Sequence, residues 1–386
     1  DSGVSPDGIV RLVSPSVTYG PKRPVLTTTG LPVLGSAPSS LSGGAAAARP
    51  RHGTEDTWTM SHDTPDFRRI ADKIVNTCMN IRPGEVVQLG GGVHNFSLLA
   101  ALAAAVRRAG AFPELNVTSD ELQMELMTTV PIEHLRTVPP HRLRWLEDVD
   151  AMIVTDSVAD PYRAADVSEE RRRAAHAAAE AVERKIFERG VRWAYVAWPT
   201  PATTKNLLVS FEELWNMYWR AVDIEDSRLA ADAALAAARL QDADEVRIVT
   251  EKGTDLTFRI GGRPVLVDDG VISDDDVAHG DAALTLPAGK VFVAPLEESV
   301  QGRAVFDFAF RNERPVYDLT LDIKDGRARL VGAREGVREY RQTMDFAEGE
   351  KDRIGEFAVG LNPGVDRFTG YALTDEKRRG TVHLAL

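Results

Sequence analysis

The sequence predicts an α/β protein whose N-terminal domain, 60–243, carries a largely parallel sheet and whose C-terminal domain, 244–386, is β-rich. Three observations carry this prediction. Short apolar runs alternate with helical runs up to about residue 243, the pattern of strands joined by helical crossovers. Beyond residue 244 the pattern becomes period-two alternation broken by tight Gly turns. Residues 1–59 match neither pattern: seven Pro, eight Ser and eight Gly interrupt any sustained period, so this stretch is expected to lie outside the fold as a disordered or non-native extension. Met60 is the expected start of the folded part.

The elements follow in order. Phe67, Ile70, Ile74 and Cys78 fall on one face of a helix over 66–82. A Pro83-Gly84 turn leads into the strand EVVQLGGG. SLLAALAAAVRRAG reads as an Ala-rich helix stopped by Gly110. PELNV, DVDAMIVTDSV and VRWAYVAW are three further strands, with helical stretches at 168–189 and 210–241 between or after them. The β-rich part then supplies strands within EVRIVTEKGTDLTFRIGGRPVLVDDG, KVFVAP, GRAVFDFAF, VYDLTLDIKDGRARLVGA, EFAVGLN and GTVHLAL, with one helix at about 336–348.

Composition excludes several function classes. Acidic residues outnumber basic ones by 58 to 46, for a net charge of −12, which argues against nucleic acid and anionic membrane partners. The single cysteine rules out an intrachain disulfide, a Cys-rich zinc module and a redox CxxC pair. No apolar run reaches the ~18 residues that span a bilayer, and a cytoplasmic location is expected.

Several motifs invite chemistry and are better read plainly. Gly90-Gly91-Gly92 lacks both the GxGxxG spacing and a closing lysine, and is expected to let a helix pack on the sheet. Asp268-Asp269 and Asp274-Asp275-Asp276 lack EF-hand spacing and are expected to form a solvated loop. HExxH and GxSxG are absent, and Cys78 is expected in the core. Glu356 and His383 are more informative, because each is a polar residue set in an otherwise apolar strand. A carboxylate and an imidazole converging from neighbouring strands form half of a metal site; the alternative is that both face solvent.

From about residue 66 to the end the chain resembles the thermophilic metallo-aminopeptidase family, the aminopeptidase T and aminopeptidase S type. The resemblance rests on ADKIVNTCMNIRPGEVVQL, YVAWPTPATTKNLLVSFEELWNMYWRAVDIED, and the ordered motifs GTDLTF, VDDG, PAGKVFVAP, EESVQG, GEFAVGLNPG and DEKRRGTVHLAL. It implies a two-domain homodimer and two divalent metal ions (Co, Zn or Mn). These would activate a water that attacks the first peptide bond of a peptide with a free amino terminus. On this resemblance Glu356 matches the bridging glutamate and His383 a metal-binding histidine.

Two departures qualify the resemblance. Lys290 stands where the family has a glutamate in P-x-x-E-V-F; a protonated lysine cannot ligate and would pair with Glu356 instead. Glu297 or Glu298 could substitute for the missing carboxylate, or Lys290 could turn outward. The family's later tyrosine and His-x-Asp pair lie beyond Leu386, so the metal-site domain is expected to be incomplete as given. Two other functions stay open on the same scaffold. One is a ring-cleaving dihydroxypyridine dioxygenase with one iron(II) held by two histidines and an aspartate. The other is a non-catalytic homologue that has lost its metals.

Overall fold

The structure, a computed structural model, describes residues 8–13, 65–311, 314–346 and 349–386. In chain order the first strands are β1 (Gly8–Val13), β2 (Val86–Gly92), β3 (Phe112–Thr118), β4 (Ala151–Val154) and β5 (Arg192–Val196). Then come β6 (Glu245–Thr250), β7 (Asp255–Arg259), β8 (Leu266–Asp268), β9 (Ala283–Leu286) and β10 (Lys290–Val293). The last are β11 (Gln301–Arg311), β12 (Arg314–Lys324), β13 (Arg327–Gly332), β14 (Glu356–Gly360) and β15 (Val382–Ala385).

They form a parallel sheet in the order β3-β2-β4-β5-β9 and two antiparallel sheets, β1-β6-β7-β11-β12-β13 and β15-β14-β10-β8. This is the expected architecture of a parallel α/β part followed by a β-rich part. One strand departs from the expected segregation: β9, far beyond residue 244, runs parallel to β5 and completes the first sheet. Within the stretch expected to lie outside the fold, residues 8–13 pair antiparallel with β6, from Gly8 opposite Thr250 to Val13 opposite Glu245. The rest of 1–59 lies outside the described residues.

The helices form where caps and periodicity direct them. Asp66 accepts from the backbone N–H groups of Arg68 and Arg69 at 3.1 Å and opens the helix Phe67–Lys73. The expected helix over 66–82 ends earlier, through a wide turn at Ile74–Cys78. Phe96–Arg108 buries Leu98, Leu99, Leu102, Ala105 and Val106 against the parallel sheet. Glu169–Arg189 stops at Gly190, whose φ of 64° suits a left-handed cap. The segment 210–241 is two helices, Phe211–Val222 and Asp226–Gln241, the first opened by a Ser210/Glu213 capping box.

Two cores result. One joins the parallel sheet to its helices and includes Trp198, Trp215 and Trp219, with Phe67 packed against them; Trp198 and Trp215 meet edge to face at 5.0 Å. The other fills the β-rich part around Phe258, Val291, Leu321 and Phe357. Among the described residues, no helix is long and apolar enough to cross a membrane.

The glycine run behaves as a packing device. A Cβ at Gly91 would lie 2.5 Å from Thr155 Cγ2 and 2.7 Å from Asn95 Oδ1, so only glycine lets β2 pass this close to its neighbours. The acidic run is not a solvated loop. Asp274–Asp276 form the first turn of the helix Asp274–His279, capped by Ser273, where acidic side chains favour the positive end of the helix dipole. Asp268 ends β8, and its side chain is largely buried, 13% exposed. Cys78 lies in the core, as expected.

Candidate functional site

The four-stranded sheet β15-β14-β10-β8 brings one chemically distinctive residue from each strand to one face. The reason is the two-residue side-chain period. Val291, Val293 and Phe357 point into the second core, so Lys290, Phe292, Glu356, Ala358 and Gly360 point the other way. In register, Lys290 lies opposite Asp268 on one side and Gly360 on the other, while Ala358 lies opposite His383 and Glu356 opposite Ala385.

The chain leaving β14 then delivers two more charges. After the short helix Ala372–Asp375, the chain at Glu376 and Lys377 passes close to Gly360 at the end of β14. Lys377 O accepts from Asn362 N at 2.7 Å, and Gly360 N donates to Thr381 O at 2.9 Å. A Cβ at Gly360 would meet the Arg378 carbonyl; glycine there lets the turn lie against β14.

The resulting cluster is a chain of ion pairs. Lys290 Nζ donates to Glu356 Oε1 at 3.1 Å and to Glu376 Oε2 at 3.2 Å, and it stands 4.8 Å from the centre of the Phe292 ring. His383 Nε2 lies 2.9 Å from Glu356 Oε1. Lys377 Nζ lies 2.6 Å from Asp268 Oδ2 and 3.1 Å from Glu376 Oε1. The lysines are well covered, with side-chain exposures of 10% for Lys290 and 1% for Lys377.

Electrostatics follow from these contacts. Burial works against ionising Glu356, but the His383 hydrogen bond and the Lys290 charge outweigh it and hold the carboxyl at about 2. An ionised Glu356 can only accept, so His383 donates to it from Nε2. Glu376 is likewise held low: burial opposes ionisation, and Lys377, Lys290 and His383 outweigh it. Burial would strip the proton from Lys377, but Asp268 and Glu376 hold the ammonium charged, well above the usual lysine range.

Each residue singled out from the sequence has a definite place. Glu356 and His383 converge and do not face solvent. Lys290 points inward and pairs with Glu356. Glu297 and Glu298 go elsewhere. After β10 the chain turns away at Leu296, whose N–H donates to Arg259 O at 2.8 Å. Glu297 then pairs with Arg263 at 2.7 Å, and Glu298 lines a surface hollow with Lys324, Asp325, Arg327 and Arg353. Sequence reasoning missed Asp268, Glu376 and Lys377 as members of the cluster. Glu376 and Lys377 stand in the quoted DEKRRG motif, which was the available clue.

The donor set does not suit a metal ion. Glu356 Oε1 accepts from two nitrogens and each Glu376 oxygen and Asp268 Oδ2 from one, so two ammonium groups already balance the carboxylate charge that a metal ion would need. The His383 nitrogen facing Glu356 is a donor. Asp268 Oδ1 is buried without a partner among the described residues, but it belongs to a carboxylate whose other oxygen pairs with Lys377. Among the described residues, no group of three or more His, Cys, Asp or Glu side chains is placed to hold a metal.

Comparison with known proteins places the architecture. A family model described as thermophilic metalloprotease (M29) matches residues 64–386. Among solved structures, wild-type AmpT from Thermus thermophilus is similar at 20% identity with a TM-score of 0.64, covering 82% of this chain and 84% of that one. The 2,5-dihydroxypyridine dioxygenase from Pseudomonas putida KT2440 is similar at 16% identity with a TM-score of 0.50, covering 78% of this chain and 77% of that one. Both likenesses concern the fold. No curated protein matches the chain.

Proposed function

The chain belongs to the thermophilic metalloprotease family, and from that premise we propose that it is an aminopeptidase-like hydrolase acting on peptides with a free amino terminus. The observation that supports this reading is the pairing of Glu356 with His383 at 2.9 Å across β14 and β15, the two positions that the resemblance marks as functional. Glu356 is ionised near neutral pH and orients the imidazole through Nε2.

The two divalent ions (Co, Zn or Mn) that the family implies do not fit the donor set among the described residues. What these residues supply is a covered, charge-balanced cluster on one sheet face, with a carboxylate–imidazole pair at its edge. Homodimerisation and a cytoplasmic location belong to the same reading; light scattering of the purified chain tests the first.

One observation favours a second reading. Lys290 and Lys377 occupy carboxylate oxygens that a metallopeptidase would reserve for ligation, which suits a peptide-binding homologue that has lost its catalysis.

The test is to present the purified chain with leucine p-nitroanilide, with a peptide and its N-acetylated form, and with 2,5-dihydroxypyridine. Each assay is run with and without Co, Zn or Mn. Hydrolysis of the free but not the acetylated peptide, abolished by Glu356→Gln, is the expected result. Absence of cleavage under every loading condition would leave the non-catalytic homologue, and oxygen uptake would point to the dioxygenase.

A further inference from the structure

We propose that the Lys290 ammonium is this chain's built-in cation, bridging Glu356 and Glu376 as a divalent ion would, so that the cluster assembles without metal. The inference concerns the same Glu356 cluster that the proposed function takes as the reacting centre, and it stands on the cluster's geometry. Its geometry is that of a bridging cation: one positive group stands 3.1 Å from one carboxylate and 3.2 Å from the other. The ring of Phe292 covers it at 4.8 Å.

The remaining charges fit the same account. Lys377 neutralises the far oxygen of Glu376 and the Asp268 carboxylate. Three carboxylates are thus held by two covalently attached ammonium groups and one imidazole. A cation tethered by four methylenes is present at high effective concentration, whereas a divalent ion entering here would meet two ammonium charges at close range. Because Lys290 already donates to Glu356 Oε1 and Glu376 Oε2, a metal ion would compete with it for the same oxygens.

The experiment counts metal and reads unfolding temperature, and needs no turnover. The native chain, Glu356→Gln, Lys290→Met and Lys290→Arg are stripped with chelator. They are then equilibrated with Zn, Co or Mn, desalted and assayed by mass spectrometry. The expected result is that native chain and Glu356→Gln carry the same metal content, and that metal does not shift the native unfolding temperature. Lys290→Met should unfold at a lower temperature, take up additional metal at least about tenfold more tightly than the native chain, and recover stability on metal addition. Lys290→Arg should behave like the native chain.

Metal bound by the native chain and lost in Glu356→Gln would overturn the inference. So would a folded Lys290→Met variant that neither gains metal nor responds to it. If Lys290→Met does not fold, the native, Glu356→Gln and Lys290→Arg comparison still decides. A metal-binding, active native chain would overturn this inference and leave the proposed function standing; an inactive chain with the expected metal counts would do the reverse.

Discussion

Asp268 and Lys290 stand directly opposite one another between β8 and β10, yet they do not share the cluster's ion pairs with each other. Asp268 pairs with Lys377 at 2.6 Å, while Lys290 reaches along the sheet face to Glu356 and Glu376. The two lysines thereby tie β8, β10 and β14 to the turn that follows Ala372–Asp375, and β15 joins through His383 and Glu356.

That relationship predicts a large stability effect at Lys377. Its side chain is 1% exposed and serves both Asp268 and Glu376. Lys377→Met should destabilise the fold by about 3–5 kcal/mol, because it leaves buried carboxylates uncompensated. The double variant with Asp268→Asn should cost less than the sum of the two single changes. Urea denaturation of the four proteins measures the coupling; additive costs would mean that the pair is not coupled.

Glu356 should shape the acid limb of stability. Its carboxyl is held at about 2, against an ordinary value of 4.5. A carboxylate whose folded value is depressed stabilises the fold at pH values above its unfolded value. That contribution is lost as pH falls through the folded value. Stability should therefore decline between about pH 4.5 and about pH 2 more steeply in the native chain than in Glu356→Gln. Urea midpoints measured across this window test the point, and parallel curves would refute it.

Cys78 offers a probe of global opening. It is fully buried, and burial pushes its thiol up to about 12. The thiolate is the reactive form, so a disulfide reagent at pH 8 should leave the folded chain unlabelled. Labelling should proceed at the rate of unfolding and be immediate in strong urea. Fast labelling of the native state would contradict the buried placement.

Asn362, in the GLNPG motif, should matter more than a polar residue usually does. It is wholly buried; its Nδ2 donates to Ala221 O at 3.0 Å and to Ala288 O at 2.6 Å, and its Oδ1 accepts from Gly364 N at 2.8 Å. Asn362→Ala would strand three backbone groups, at a cost of about 3 kcal/mol or more. Asp366→Ala, which breaks an exposed pair with Arg220, should change stability by no more than about 0.5 kcal/mol. Equal effects in urea denaturation would show that the buried Asn362 hydrogen bonds carry no special weight.

Much of the fold was legible locally. The stop at Gly110, the apolar face of Phe67, Ile70 and Ile74, and the apolar runs of β2, β4 and β5 announce their elements through turn chemistry and hydrophobic period. Local patterning misled at Asp274–Asp276, where acidity suggested a loop although Ser273 and the helix dipole make it a helix start. It also gave no sign that β9 would cross back to the parallel sheet.

The site divides in the same way. Sequence by itself marked Glu356 and His383 as polar residues in apolar strands, a local fact set by the alternation of side chains, and left open whether they converge or face solvent. It also determined that Lys290 could not ligate, because an ammonium has no lone pair to give. Only the tertiary structure decided which way Lys290 points, that Asp268 meets Lys377 across 109 residues of chain, and that Glu297 and Glu298 turn away. Those outcomes depend on strand register and on a turn passing over Gly360. Register and approach are properties of many residues packing at once, and no single stretch of sequence carries them.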